Sequence, residues 1–121
     1  MILNPTIMRN DMSKRVDFTR ALRVLLDSMI QNDDRPILDY VKRSDQEQKR
    51  LFDAGLSKCD GYRNVSKHQI ALAADIYLIN DDGSLHDWSL DDRAVKYHRL
   101  WESLGGKPMI SWDQGHFEWG G

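Results

Sequence analysis

The chain has 121 residues, enough to bury one hydrophobic core, and this length predicts a single domain spanning residues 1–121. Hydrophobic residues make up 40% of the chain and charged residues 30%, with 17 Lys and Arg against 19 Asp and Glu. Because the charges nearly balance, we do not expect nucleic acid or an anionic membrane surface as a partner. The single cysteine, Cys59, excludes an intramolecular disulfide framework and a four-thiolate zinc site.

Neither a membrane-spanning segment nor a signal peptide is predicted. No apolar run reaches the roughly 18 to 20 residues of a transmembrane helix, and residues 1–15 lack the long apolar core of a signal peptide. A lone cysteine also fits synthesis in a reducing cytosol. We therefore expect no membrane insertion and no export by the signal-peptide route.

The first predicted element is an amphipathic helix over residues 13–30. Counted from Phe18, apolar residues recur at offsets of 4, 7, 8 and 11, which form one stripe of a helix. After a polar turn, residues 37–41 are partly β-branched and partly alternating, which predicts a short strand.

A second helix is predicted over residues 45–54. Ser44 and Glu47 have the spacing of a capping box, in which each side chain satisfies an amide of the first turn. Gly55 stands where a left-handed C-cap would end the helix. Residues 56–65 are polar and lack a period, which is typical of a loop.

Residues 70–79 predict a buried strand, because they are dense in Ala, Leu and Ile and precede the turn residues 80–83 of a hairpin. A helix over the same residues is the alternative. A third helix follows. Ser89 with Asp92 resembles a capped N-terminus, apolar residues recur at helical spacing from Leu90 to Leu104, and Gly105-Gly106 stands at its expected end.

The C-terminal segment predicts two short strands, over residues 108–112 and 116–119, around a turn at residues 113–115. Helices and strands therefore alternate without the rhythm of βαβ units. This pattern predicts the α+β class.

Two of the four histidines have carboxylates nearby in the sequence. Asp75 follows His68 by seven positions, and Asp113 precedes His116 by three. Imidazole nitrogen and carboxylate oxygen are ordinary zinc ligands, and a catalytic zinc site has three protein ligands and a position left for water. Two histidines and one aspartate would complete such a site. The remaining carboxylate could take a proton from that water and pass it to a leaving amine.

Three segments hold these residues in a recognisable order. Residues 66–75 (SKHQIALAAD) are similar to the motif SxHxxGxAxD, with Ala71 in place of the Gly, and residues 113–119 (DQGHFEW) contain an acidic residue, then His, then Glu. Upstream, residues 43–57 contain an Arg, a later Gln and Gly-x-Ser. Together they resemble the zinc peptidases that cleave D-alanyl-D-alanine or L-alanyl-D-glutamate bonds in bacterial cell walls. The match extends over about two-thirds of the chain.

Asp before the last His is typical of the small phage-type L-alanyl-D-glutamate endopeptidases within that family. The resemblance implies one Zn²⁺ ion held by three ligands, His68, Asp75 and His116. It also implies that Asp113 is the general base, with Glu118 as the alternative base, and that Arg43 orients the substrate or stabilises its oxyanion. Ser66 is expected to contribute hydrogen bonds beside the substrate rather than to act as a nucleophile.

By the same resemblance, we expect a small antiparallel sheet that carries the zinc site and packs with about three helices, as in hedgehog-like and D-alanyl-D-alanine peptidase domains. The partner would be the peptidoglycan stem peptide, and the protein a monomer without a separate cell-wall-binding domain. A phage lysis enzyme would wait in the host cytoplasm until release to the cell wall, and a virion-associated enzyme would have the same sequence features.

Two other functions stay open at this point. One is a D-alanyl-D-alanine carboxypeptidase or dipeptidase, for which Arg43 could bind the terminal carboxylate. The other is a zinc-bearing cell-wall-binding or virion structural module without turnover. The presence of Asp113 speaks against the second, because a purely structural zinc site needs no base.

The remaining histidines and the tryptophans are first interpreted as structural. His86 and His98 have no motif around them, so both are expected to be structural or exposed. Trp101 lies at helical spacing and is expected in the core. Trp112 and Trp119 flank the last motif, and a core position is favoured for both over the wall of a cleft.

Overall fold

The computed structural model describes residues 5–39, 45–55 and 72–120. Within these ranges the chain forms three α-helices, one 3₁₀ helix and a three-stranded antiparallel sheet, which confirms the predicted α+β class. In chain order the elements are α1 (Pro5–Gln31), β1 (Pro36–Leu38), α2 (Asp45–Asp53), β2 (Ala73–Leu78), the 3₁₀ helix (Trp88–Leu90), α3 (Arg93–Leu104) and β3 (His116–Glu118).

The sheet has the order β1-β2-β3, so β2 is its central strand and pairs antiparallel with both neighbours. Side chains alternate between the two faces along a strand. On β2, Ala74, Ile76 and Leu78 are buried in the hydrophobic core. Asp75 and Tyr77, which alternate with them, are only half-buried. One face of the sheet is therefore apolar, and the other carries polar side chains.

The apolar face of the sheet packs with α1 and α3. Trp101 on α3 is completely buried, and its ring lies 5.9 Å from the ring of Phe18 on α1 and 5.9 Å from that of Phe117 on β3, near-perpendicular in both cases. Such edge-to-face contacts add to the stabilisation from burial of apolar area. The core position predicted for Trp101 is confirmed, and Trp119 lies in the same core.

Helix α1 extends further toward the N-terminus than predicted, since it begins at Pro5 rather than near residue 13. The stripe of apolar residues could not locate this end because it starts only at Phe18. A proline suits the first turn of a helix, where the missing N–H has no partner in the helix. Asp33 lies just beyond the C-terminus in the left-handed region, at φ 63°.

Glycines end the two shorter helices, as predicted. Gly55 follows α2 at φ 74°, and Gly105 follows α3 at φ 114°. The amide of Gly106 then donates to the carbonyl of Trp101 at 2.9 Å, which is the long hydrogen bond of a Schellman motif. The capping box expected from Ser44 falls outside the described residues, as does the end of the predicted strand at residues 40–41.

The predicted N-terminus of the third helix is wrong. Ser89 lies within the 3₁₀ helix, which is capped by Asp87, whose side chain accepts a hydrogen bond from the Ser89 amide. Helix α3 begins only at Arg93, whose amide donates to the side chain of Asp91. One aspartate turn therefore begins the 3₁₀ helix, and a second, at Asp91, separates it from α3. Leu90 in the predicted apolar stripe is consequently 75% exposed.

The buried strand predicted over residues 70–79 is confirmed by β2, and the helical alternative is wrong over residues 73–78. The turn after it is also confirmed, because the amide of Gly83 donates to the carbonyl of Asn80. Of the two predicted C-terminal strands only β3 forms. Residues 108–112 are not a strand, since Ile110 pairs only with Asp113, three residues along the chain, and the backbone turns back on itself.

Among the described residues, no helix combines the length and the apolar character needed to cross a membrane.

Candidate metal centre

The register of β2 and β3 brings two chemically important side chains together. Asp75 on β2 lies directly opposite His116 on β3. Residues opposite each other on antiparallel strands have Cβ atoms about 4.5–5.5 Å apart and share a face of the sheet. The Nδ1 atom of His116 accordingly lies 3.1 Å from Oδ1 of Asp75.

A tight turn places Asp113 beside this pair. The Asp113 amide donates to the carbonyl of Ile110 at 3.0 Å, and the His116 amide donates back to the carbonyl of Asp113 at 3.1 Å. The amide of Ile76 on β2 fixes the far side of the turn by donating to the carbonyl of Gly115 at 2.8 Å. Residues 110–116 are thus closed by two hydrogen bonds within the turn and joined to the central strand by a third.

Gly115 is required at this position by the closeness of its neighbours. A Cβ atom added there would lie 2.7 Å from the carbonyl oxygen of Ile76 and 2.9 Å from Nε1 of Trp88. Trp88 itself donates from Nε1 to that carbonyl at 3.0 Å, so it cannot simply move away. A larger residue would displace the turn from β2.

Asp75, Asp113 and His116 form what we call the ligand cluster. One ligand atom from each lies within 4.8 Å of the others. His116 and Asp75 are half-buried, and Asp113 is exposed. Imidazole nitrogen and carboxylate oxygen are donors that zinc accepts, so His116 with one of the two carboxylates fits a zinc ion and leaves the other carboxylate beside it.

The second ring nitrogen of His116 has its own carboxylate. Nε2 lies 3.3 Å from Oε1 of Glu118, two residues further along β3 and therefore on the same face. The other oxygen of Glu118 is 3.1 Å from Nζ of Lys107. A carboxylate on the far nitrogen of a ligating histidine fixes its tautomer and its orientation.

The carboxylates and the imidazole shift one another's pKa values. Burial alone would lower the pKa of His116, but the hydrogen bonds with Asp75 and Glu118 outweigh it and raise the pKa. Burial raises the pKa of Tyr77, and the negative charges of Asp75 and other nearby aspartates add to this effect. For Glu118, the contacts with Lys107 and His116 outweigh burial and lower the pKa. The carboxylates around His116 therefore favour a positive charge at this position.

A cleft of about 320 Å³ opens beside the ligand cluster, and Asp113 lies in its lining. Tyr77, Trp88 and Ser89 line it together with Trp112. Trp112 is 78% exposed, so the core position favoured for it is wrong. Its side chain instead forms part of the cleft wall. A groove with aromatic walls and a few polar groups is the usual form of a small-molecule or peptide site.

The structure brings together three of the predicted site residues, Asp75, Asp113 and His116. The other three, Arg43, Ser66 and His68, lie outside the described residues, as does Ala71. The roles given to all six by the resemblance stay predictions.

Sequence reasoning missed two contacts around the cluster. Glu118 was weighed only as a base, although the two-residue period of a strand could have placed it beside the ring of His116. The buried His98 on α3 contacts the carbonyl of Gln114, between Asp113 and His116. No local pattern could have shown this second contact, because it joins a helix to a turn 16 residues away.

No protein-family model matches this sequence, and no curated protein matches it. Among solved structures, the fold is similar to that of a mutant of the vancomycin resistance D,D-pentapeptidase VanY from the VanB-type resistance cassette, in complex with Zn(II). The TM-score is 0.59 at 18% sequence identity, and the match covers 86% of this chain and 71% of the other. The chain therefore shares its fold with this Zn(II)-bound pentapeptidase.

Proposed function

We propose that this chain is a zinc-dependent peptidoglycan peptidase that hydrolyses the L-alanyl-D-glutamate bond of the stem peptide. The observation that carries the proposal is the ligand cluster, which joins β2 to the turn before β3 at the edge of a cleft. The fold shared with a Zn(II)-bound pentapeptidase supports the peptidase class. The motif over residues 113–119 supports the endopeptidase type.

Asp75 and His116 would hold the zinc ion, together with His68 from the matched motif. When bound, zinc supplies a Lewis acid that makes a water molecule more acidic and polarises the scissile carbonyl. Glu118 keeps the imidazole of His116 oriented by accepting a hydrogen bond from Nε2. Lys107 in turn holds Glu118 in place.

Asp113 is the better candidate for the general base. Its side chain is exposed and lines the cleft, so it can reach both the attacking water and the substrate. It would accept the proton of that water and return a proton to the leaving amine. Glu118 is less suited, because the contacts with Lys107 and His116 hold its pKa below the usual range and already use both of its oxygens.

The cleft would hold the peptide next to the cluster. Trp112 offers an exposed aromatic face, and Ser89 and Tyr77 add polar groups. Aromatic faces bind the apolar parts of a ligand, while polar groups in the same groove fix its direction. We therefore place the substrate along the side of the cluster on which Asp113 lies.

The test is digestion of purified peptidoglycan by the full chain with zinc, followed by mass spectrometry of the new termini. The proposal expects newly freed amino groups on D-glutamate. The control is the same protein after chelation, which should be inactive until zinc is restored. If free D-alanine were released instead, the chain would be a carboxypeptidase. If no new terminus appeared, the chain would be a module without catalytic activity.

A further inference from the structure

His98 is a buried histidine that the chemistry above does not use. It lies on α3, is only 2% exposed, and its Nε2 atom is 2.7 Å from the carbonyl oxygen of Gln114. A carbonyl oxygen can only accept a hydrogen bond, so the ring donates from Nε2. Gln114 belongs to the turn between Asp113 and His116.

The surroundings of the ring fix its protonation state. Nδ1 is buried and has no hydrogen-bond partner in the part of the chain that the structure describes. A charged ring would carry a second N–H there without an acceptor, which is costly in a buried position. Burial also lowers the pKa of His98. The ring is therefore neutral, with its proton on Nε2.

The position of the ring is fixed as well. It stacks on the ring of Phe117 at 4.0 Å between centroids and 6° between planes. Phe117 is completely buried and directly follows His116. The hydrogen bond to Gln114 therefore comes from a donor that cannot easily turn or move.

Most other hydrogen bonds of the turn join backbone groups. They link Asp113 to Ile110, His116 to Asp113, and Ile76 to Gly115. His98 adds a hydrogen bond from a third element, because it lies on α3, outside the β2–β3 pair. It holds the peptide group between Gln114 and Gly115, which is the middle one of the three that separate the exposed carboxylate from the ligating imidazole.

We propose that His98 is a positioning residue, whose ring N–H holds the carbonyl of Gln114 and thereby sets Asp113 against His116. The proposal rests on the proposed function, in which these two residues act together. The effect of His98 on the turn itself can be measured whether or not the chain cleaves peptidoglycan.

The experiment compares His98→Leu, which keeps bulk without a donor, with His98→Gln, whose amide nitrogen can reach the same carbonyl. Amide hydrogen exchange in the full zinc-loaded chain is followed by NMR at His116 and Asp113, with the buried Leu25 on α1 as reference. We expect exchange at the turn to be at least about tenfold faster in the Leu variant, unchanged at Leu25, and restored by Gln. For peptidoglycan cleavage, kcat should fall about tenfold in the Leu variant with KM unchanged, and the Gln variant should rescue it.

The proposal is overturned if the turn exchanges at the wild-type rate in His98→Leu, or if Leu25 is accelerated by the same factor. Should the Leu variant not fold, His98→Asn replaces it, because its amide is too short to reach Gln114. Equal exchange at the turn in the Asn and Gln variants would then overturn the proposal, and faster exchange in Asn alone would support it. If the wild type cleaves no peptidoglycan, the proposed function fails, while the exchange rates still decide the role of His98.

Discussion

Two groups of carboxylates in the described part of the molecule differ in the side chains that face them. At the start of α3, Arg93 lies 2.9 Å from both Asp34 and Asp91, and Tyr97 donates to Asp34. We call these four residues the Arg93 network. In the ligand cluster, by contrast, two carboxylates converge with one imidazole within 4.8 Å.

The difference lies in the geometry of the groups that face the carboxylates. A guanidinium has several N–H donors in a fixed fork and matches carboxylate oxygens directly. Converging oxygen and nitrogen ligands instead define a point that suits a small cation. The Arg93 network therefore fastens the segment after α1 to α3, whereas the ligand cluster is suited to bind a cation.

The largest expected effect is that of metal removal on the ligand cluster. Chelation leaves Asp75 and Asp113 close together without their cation. Zinc at about 1,000 times its Kd contributes about 4 kcal/mol to the free energy of unfolding, so Tm should fall by about 10 °C or more. Differential scanning calorimetry measures this. An unchanged melting curve would show that no metal is coupled to folding.

The second prediction separates the roles within the cluster. Asp113→Asn keeps the shape of the side chain but cannot take a proton, so cleavage of peptidoglycan should fall by at least about 100-fold while zinc content is kept. Cleavage rate and metal content per chain are the two measurements. Glu118→Gln is the matched control. If the Asn variant cleaved normally and the Gln variant were inactive, Glu118 rather than Asp113 would be the general base.

A smaller effect is expected in the Arg93 network. Asp34→Asn removes the charge that faces Arg93 at a site where the aspartate side chain is only 12% exposed. The free energy of unfolding should fall by about 1–2 kcal/mol, as measured by urea denaturation, without loss of zinc. Asp91→Asn is the control, and because that side chain is 37% exposed the loss should stay below about 1 kcal/mol. A change in zinc content would show that the two groups are coupled.

The last prediction concerns the pH dependence of stability in the Arg93 network. Burial and the hydrogen bond to Asp34 raise the pKa of Tyr97 from 10.0 to about 12. Between these values the unfolded chain releases the proton and the folded chain keeps it. The contribution of Tyr97 to the free energy of unfolding is therefore fully present below about pH 10 and is lost as the pH rises toward 12. Tyr97→Phe should therefore lose less stability than the wild type between pH 9 and about pH 11.5. Parallel curves of unfolding free energy against pH would contradict this.

Features that depend only on neighbours along the chain could be predicted from the amino-acid sequence. The apolar stripe of α1, the buried strand β2, and the glycines after α2 and α3 were all predictable, because periodicity and capping are local properties. The ordered motifs also singled out Asp75, Asp113 and His116 before any geometry was known. The roles given to them come from the resemblance that these motifs carry and stay predictions.

Tertiary structure decided which groups meet across long separations in the chain. Asp75 and His116 are 41 residues apart and are joined by strand register, and His98 reaches Gln114 from a separate helix. The same packing left Trp112 exposed and kept residues 108–112 from forming a strand. Such outcomes depend on which surfaces the whole core can bury, and no local pattern carries that information.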